Sequence, residues 1–133
     1  MGDLRVQAPA RGDGRLDRSQ GAFLDVEDVR LLSRCRITVV RRSLDKELIE
    51  EYLSSEHADM GQCSNFKDGQ EFTVDETFRM PEGFCPSAWA DIRHVALRVA
   101  SGGNMPGMRR PGVEIGSCSD WFRPVIFRIE RLE

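Results

Sequence analysis

Histidine is scarce in this chain, with two among 133 residues, and tyrosine scarcer still, with one. Long apolar runs are missing: none approaches the roughly 20 residues that a bilayer-spanning helix needs. Positive charge is not in excess, since 19 Lys+Arg stand against 22 Asp+Glu for a formal net charge of −3. That balance excludes a broadly basic nucleic-acid binder held by phosphate neutralisation, though not a local patch. The first 20 residues carry Arg5, Arg11, Arg15 and Arg18 but no apolar stretch of the kind a secretory signal needs. The four cysteines, at 35, 63, 85 and 118, are separated by 27, 21 and 32 residues, so no tight Cys-x-x-Cys knuckle of a structural zinc site is present. Without a secretion signal a reducing, cytoplasmic setting is the expectation, and free thiols or metal ligands are favoured over two disulfides. Internal repeats, coiled-coil heptads and nucleotide-binding glycine fingerprints are absent as well. Gly102-Gly103-Asn104-Met105-Pro106-Gly107 follows an expected helix, whereas a phosphate cradle precedes one.

What is present divides into a polar beginning and an ordered remainder. Residues 1–33 hold glycines and scattered apolar side chains too sparse to offset their ordering entropy, which predicts a mobile extension. Within it Phe23, Leu24, Val26, Val29, Leu31 and Leu32 predict a short amphipathic helix over 24–33, acidic at its start and basic at its end as the helix dipole prefers. A single compact domain is expected over 34–133. Cys35, Ile37 and Val39 alternate with polar neighbours and predict a strand, with Cys35 in the core. Ser43 is placed to cap a helix whose stripe is Leu44, Leu48, Ile49, Tyr52 and Leu53. A turn at Lys67-Asp68-Gly69-Gln70 leads into a strand over 71–75. Cys85-Pro86 opens a second helix in which Ala88, Ile92, Val95, Ala96 and Val99 face inward, and Gly102-Gly103 stops it. Strands over 113–118 and 124–132 complete the order β-α-β-α-β-β. This predicts an α+β domain with two helices packed on a small, mostly antiparallel sheet.

Chemistry concentrates on the thiols. Cys85 falls at the start of the second helix, where unpaired backbone N–H groups and the positive end of the dipole suit a nucleophile or a metal ligand. The plainer reading is a small cysteine that packs well. Cys63 and Cys118 lie at loop edges. If the turns converge, Cys63, Cys85 and Cys118 surround one soft cation such as Zn, Cu or Fe and leave a position open. Asp91 and His94 share a helix side, the arrangement of a carboxylate orienting an imidazole or, more blandly, of a solvated contact. Trp89, Trp121, Phe122 and Arg123 are candidates for lining a small-molecule pocket, with core packing the common alternative for the aromatics. Two bulky apolar residues in a tight connection, Trp121-Phe122, must fold over the core or meet a partner, including a second copy of the chain.

Several blocks occur together in order: Cys63-Ser64-Asn65-Phe66-Lys67-Asp68-Gly69-Gln70-Glu71-Phe72, Pro81-Glu82-Gly83-Phe84-Cys85-Pro86-Ser87-Ala88-Trp89, Gly102-Gly103-Asn104, and Cys118-Ser119-Asp120 with Arg123-Pro124-Val125-Ile126-Phe127-Arg128-Ile129-Glu130. Over roughly 36–132 the chain resembles a family of short, functionally uncharacterised bacterial and archaeal proteins. That family is marked by a Cys-Pro-x-Ala-Trp box and a C-terminal Asp-Gly-x-Arg-Pro-Val segment. The resemblance implies a shared fold and site and places three recurring cysteines on Cys63, Cys85 and Cys118. Two positions depart from the pattern: Ser87 stands where the family often has an aromatic residue, and Trp121 where the turn usually has glycine. The function expected is thus a three-cysteine thiolate site for a soft transition metal or for thiol redox chemistry. The alternative is a non-catalytic protein- or ligand-binding module with structural cysteines. Either way the expected partner is a metal ion or small molecule rather than nucleic acid or membrane.

Overall fold

The structure is a computed structural model in which residues 32–132 are described. Nearly all of the expected 1–33 extension, including most of the helix predicted over 24–33, lies outside the described residues. Its last two positions are not helical: Leu32 packs against the core, and the Ser33 N–H donates to the Ala100 carbonyl at 2.9 Å.

Six main elements follow: β1 (Cys35–Arg42), α1 (Lys46–Tyr52), β2 (Glu71–Val74), α2 (Pro86–Ala100), β3 (Val113–Ser117) and β4 (Val125–Arg131). The four strands form one antiparallel sheet in the order β2-β1-β4-β3, so the fold is α+β with the expected element order. Alternation assigns the two sheet faces. Cys35, Ile37 and Val39 of β1 and Val125, Phe127 and Ile129 of β4 are all fully buried, with Ile37 paired to Ile129. The other face is charged and wet: Arg36 lies 3.8 Å from Glu130, and Arg128 lies 3.3 Å from the same carboxylate. Partly solvated pairs of this kind add little stability. The β1 register shifts between Val39 and Arg41, which leaves Val40 turned outward.

Helix α2 covers the apolar face. Ala88, Ile92, Val95, Ala96, Val99 and Ala100 are its buried residues, the i, i+4, i+7 stripe that the sequence carries. Burying a side chain such as Ile92 contributes roughly 1.5–3 kcal/mol. Arg98 reaches back from α2 to the buried Glu114 on β3 in a two-pronged ion pair, with Nε 2.8 Å from Oε2. This satisfies a carboxylate that sits on the core face. Arg131 donates to the Val99 and Gly103 carbonyls and so closes the C-terminal end of α2.

Helix α1 differs in its cap from the expectation. Asp45, not Ser43, caps it by accepting the Leu48 N–H at 3.1 Å. The Ser43 and Asp45 N–H groups donate to the Pro124 and Phe122 carbonyls at 2.8 Å each, which keeps the chain extended up to residue 45. Of the expected stripe only Ile49 is buried, and Tyr52 is exposed.

A cavity lined by three cysteines

Three chain segments bring the cysteines together, each for its own reason. Phe66 is buried in a loop because its ring meets Phe84, Phe127 and Phe72 at centroid distances of 5.1, 5.2 and 5.9 Å. Edge-on contacts of this kind are worth about 0.5–1.5 kcal/mol each beyond area burial. The anchored ring holds residues 63–66 against the sheet. Arg42, at the end of β1, bonds the Cys63 carbonyl at 3.0 Å and the Asp68 carboxylate at 3.0 Å. The Phe84 ring, packed in the same cluster, fixes the neighbouring Cys85. That residue is the N-cap of α2 with extended backbone, and Pro86 follows at the first helical position. Cys118 follows β3, where its N–H donates to the Val125 carbonyl at 3.1 Å.

Cys63, Cys85 and Cys118 line one cavity of about 310 Å³ together with Asn65, Ser87, Asp91, Ser119, Asp120 and Arg123. Each of the three sulfurs accepts an N–H hydrogen bond. Asn65 supplies two of these, from its backbone to Cys63 Sγ at 3.4 Å and from its side-chain amide to Cys85 Sγ at 3.9 Å. The Val125 N–H reaches Cys118 Sγ at 3.3 Å. N–H donors aimed at sulfur become stronger partners when the sulfur carries charge. Cys63 and Cys85 thus share Asn65, and Cys118 has its own donor. Among the described residues no group of three or more His, Cys, Asp or Glu side chains is drawn close enough to hold a metal ion. Cys35 lies apart in the core. Its thiol donates to the Ala96 carbonyl at 3.9 Å, and burial pushes it up to about 11.

The Asp91–His94 pair does not form. Asp91 Oδ2 instead accepts the Ser119 N–H at 2.7 Å and the Ser119 hydroxyl at 2.9 Å, while His94 is exposed and away from the cavity lining. Competition explains the split, because Ser119 takes the carboxylate with two hydrogen bonds and His94 stays exposed. Of the expected pocket residues Arg123 lines the cavity, with Nε 3.2 Å from Asp120 Oδ2. Trp89, Trp121 and Phe122 do not line it. Trp89 packs on Phe78 and Phe84, Phe122 is half-buried, and Trp121 is 69% exposed. Asn65 and Ser119 are the site residues that sequence reasoning missed. Asn65 stands two residues after a cysteine, a spacing at which its N–H can turn back to sulfur, but the Ser119 partnership spans 28 residues and has no local signal.

Among the described residues no helix is long and apolar enough to cross a membrane. No family model, no curated protein and no solved structure matches the chain.

Proposed function

We propose that the protein works through Cys63, Cys85 and Cys118. They form a thiol site that undergoes reversible thiol oxidation, or that captures a soft transition metal ion (zinc, copper or iron) once the loops carrying the sulfurs draw closer together than they stand here. One observation carries the reading: three sulfurs from three separate segments line one open cavity, and each accepts an N–H hydrogen bond. Donors of that kind support a negatively charged sulfur, which is both the metal ligand and the nucleophile. A reducing, cytoplasmic setting and a metal ion or small molecule as partner belong to this proposal.

Protein prepared without a chelating tag and analysed for bound metal is the direct test. About one equivalent, lost in Cys85→Ser, supports the metal arm. For the redox arm, one equivalent of peroxide should convert two of the three thiols to a disulfide, two protons and two electrons leaving the pair as peroxide becomes two waters. Below about a tenth of an equivalent of metal, with three thiols that alkylate freely and resist peroxide, the proposal fails.

A second reading rests on Trp121, whose large exposed ring sits in the connection beside the cavity. There the domain is a binding module and the cysteines are structural. Cys85→Ser then leaves the fold and the binding of its partner intact.

A further inference from the structure

We infer that Asp91 is a positioning residue, which sets the third thiol of the cavity by latching Ser119, and with it Cys118, onto helix α2. The inference rests on the thiol-site reading for its purpose, but its geometry stands independently. Asp91 lies six residues after Cys85 on one rigid helix, about 9 Å along the axis. Both thiol positions are therefore referred to a single element.

The latch has two bonds and one charge. Asp91 Oδ2 takes both the backbone N–H and the hydroxyl of Ser119, at 2.7 and 2.9 Å. Ser119 is exposed and contributes no apolar burial, so its place beside α2 is not dictated by core packing. On its other side Cys118 is tied to Val125 twice, through its N–H and through its sulfur. Cys118 is thus held between the start of β4 and the latch. Without Asp91 it keeps its strand partner and its packing against the core and loses its bonded tie to the helix that carries Cys85. Cys63 and Cys85 depend on a different residue, Asn65, which contacts both sulfurs. The site therefore has two separable supports, one for a pair of thiols and one for the third.

Separability makes the inference testable without knowing the ligand. Reduced, metal-free protein is treated with iodoacetamide under native conditions, and modification of each cysteine is timed by peptide mass spectrometry. In Asp91→Ala, which removes both bonds to the carboxylate, Cys118 should react at least about tenfold faster relative to Cys63 and Cys85 of the same molecule, the factor that a single charge-assisted hydrogen bond already supplies. Asp91→Asn, whose amide oxygen still accepts, should restore part of the protection, and Ser119→Ala should fall between. Asn65→Ala, which removes only the side-chain amide and keeps the backbone N–H on Cys63, should alter Cys85 and leave Cys63 and Cys118 unchanged. If Asp91→Ala does not fold, Asp91→Asn and Ser119→Ala carry the same comparison. Equal acceleration of all three thiols, or none, overturns the latch. Selective acceleration of Cys118 in a protein that neither binds metal nor oxidises upholds the latch and overturns the proposed function.

Discussion

Gly116 and Ile92 form the contact that spaces α2 from β3, and a substitution there has a calculable outcome. A Cβ added at Gly116 would lie 3.2 Å from Ile92 Cγ2 and 3.6 Å from Ile129 Cδ1. Comfortable carbon contacts are about 3.5–4.0 Å, so the first must yield by a few tenths of an ångström. Ile92 and Ile129 are fully buried and have little room to yield. Gly116→Ala also gains roughly 0.5–1 kcal/mol by restricting the unfolded chain and favouring the strand, so it should come out near neutral. Gly116→Val has no such compensation and should lose about 1–3 kcal/mol from overpacking. Ile92→Ala should lose about 2–5 kcal/mol through the cavity it leaves. Combined, the valine refills space vacated by the isoleucine, and the double variant should be more stable than the sum of the singles by at least about 1 kcal/mol. Urea unfolding midpoints at constant slope measure all four proteins. Additivity within about 0.5 kcal/mol would show that the helix does not rest on β3 at this point.

Burial raises the Cys35 thiol to about 11 from its ordinary 9.0, against the opposing pull of Arg131. The unfolded thiol ionises first, so the native state holds more protons between these values, and stability should fall as pH rises from about 9 to about 11. Urea midpoints across that window should decline less in Cys35→Ala; an equal decline in both proteins refutes the assignment. Phe66→Ala should cost about 3–5 kcal/mol and expose Cys63 to alkylating reagents, read by unfolding and by peptide mapping, because the ring is what ties that loop to the core. Trp121→Ser should change stability by no more than about 0.5 kcal/mol in a thermal melt, since the ring is largely solvated, and a larger loss would place it in the core.

The sheet and the long helix were legible because burial there follows a simple period. Cys35, Ile37 and Val39 alternate, as do Val125, Phe127 and Ile129, and Ala88, Ile92, Val95, Ala96 and Val99 recur at helical spacing; every one of them is buried. Helix α1 was harder. Seven residues with one buried side chain carry little period, and the cap was settled by backbone bonds to Phe122 and Pro124, some 80 residues further along. Phe66 belongs to the same class, a core residue outside any regular element, where no period marks it.

The site was legible in its members and illegible in its bonds, and the topology explains why. Cys85 is announced by Pro86, which fixes the helix start. From there the chain runs out along fifteen residues of α2, about 22 Å, turns through the 101–112 loop, and returns along the five residues of β3, about 17 Å. An outward run and a return of nearly matching length bring residue 118 back to the level of the first turns of the helix, where Asp91 meets Ser119. The separation of 32 residues between Cys85 and Cys118 is therefore an out-and-back distance, long in sequence and short in space. Cys63 follows no such rule. Its place depends on the buried Phe66 ring and on Arg42 reaching its carbonyl, both long-range contacts formed only once the sheet exists. The helix–strand return thus brings Cys118 to the level of Cys85, and aromatic packing around Phe66 brings Cys63 to both. Perturbing α2 and β3 should move Cys118 against Cys85, while removing the Phe66 ring should move Cys63 most.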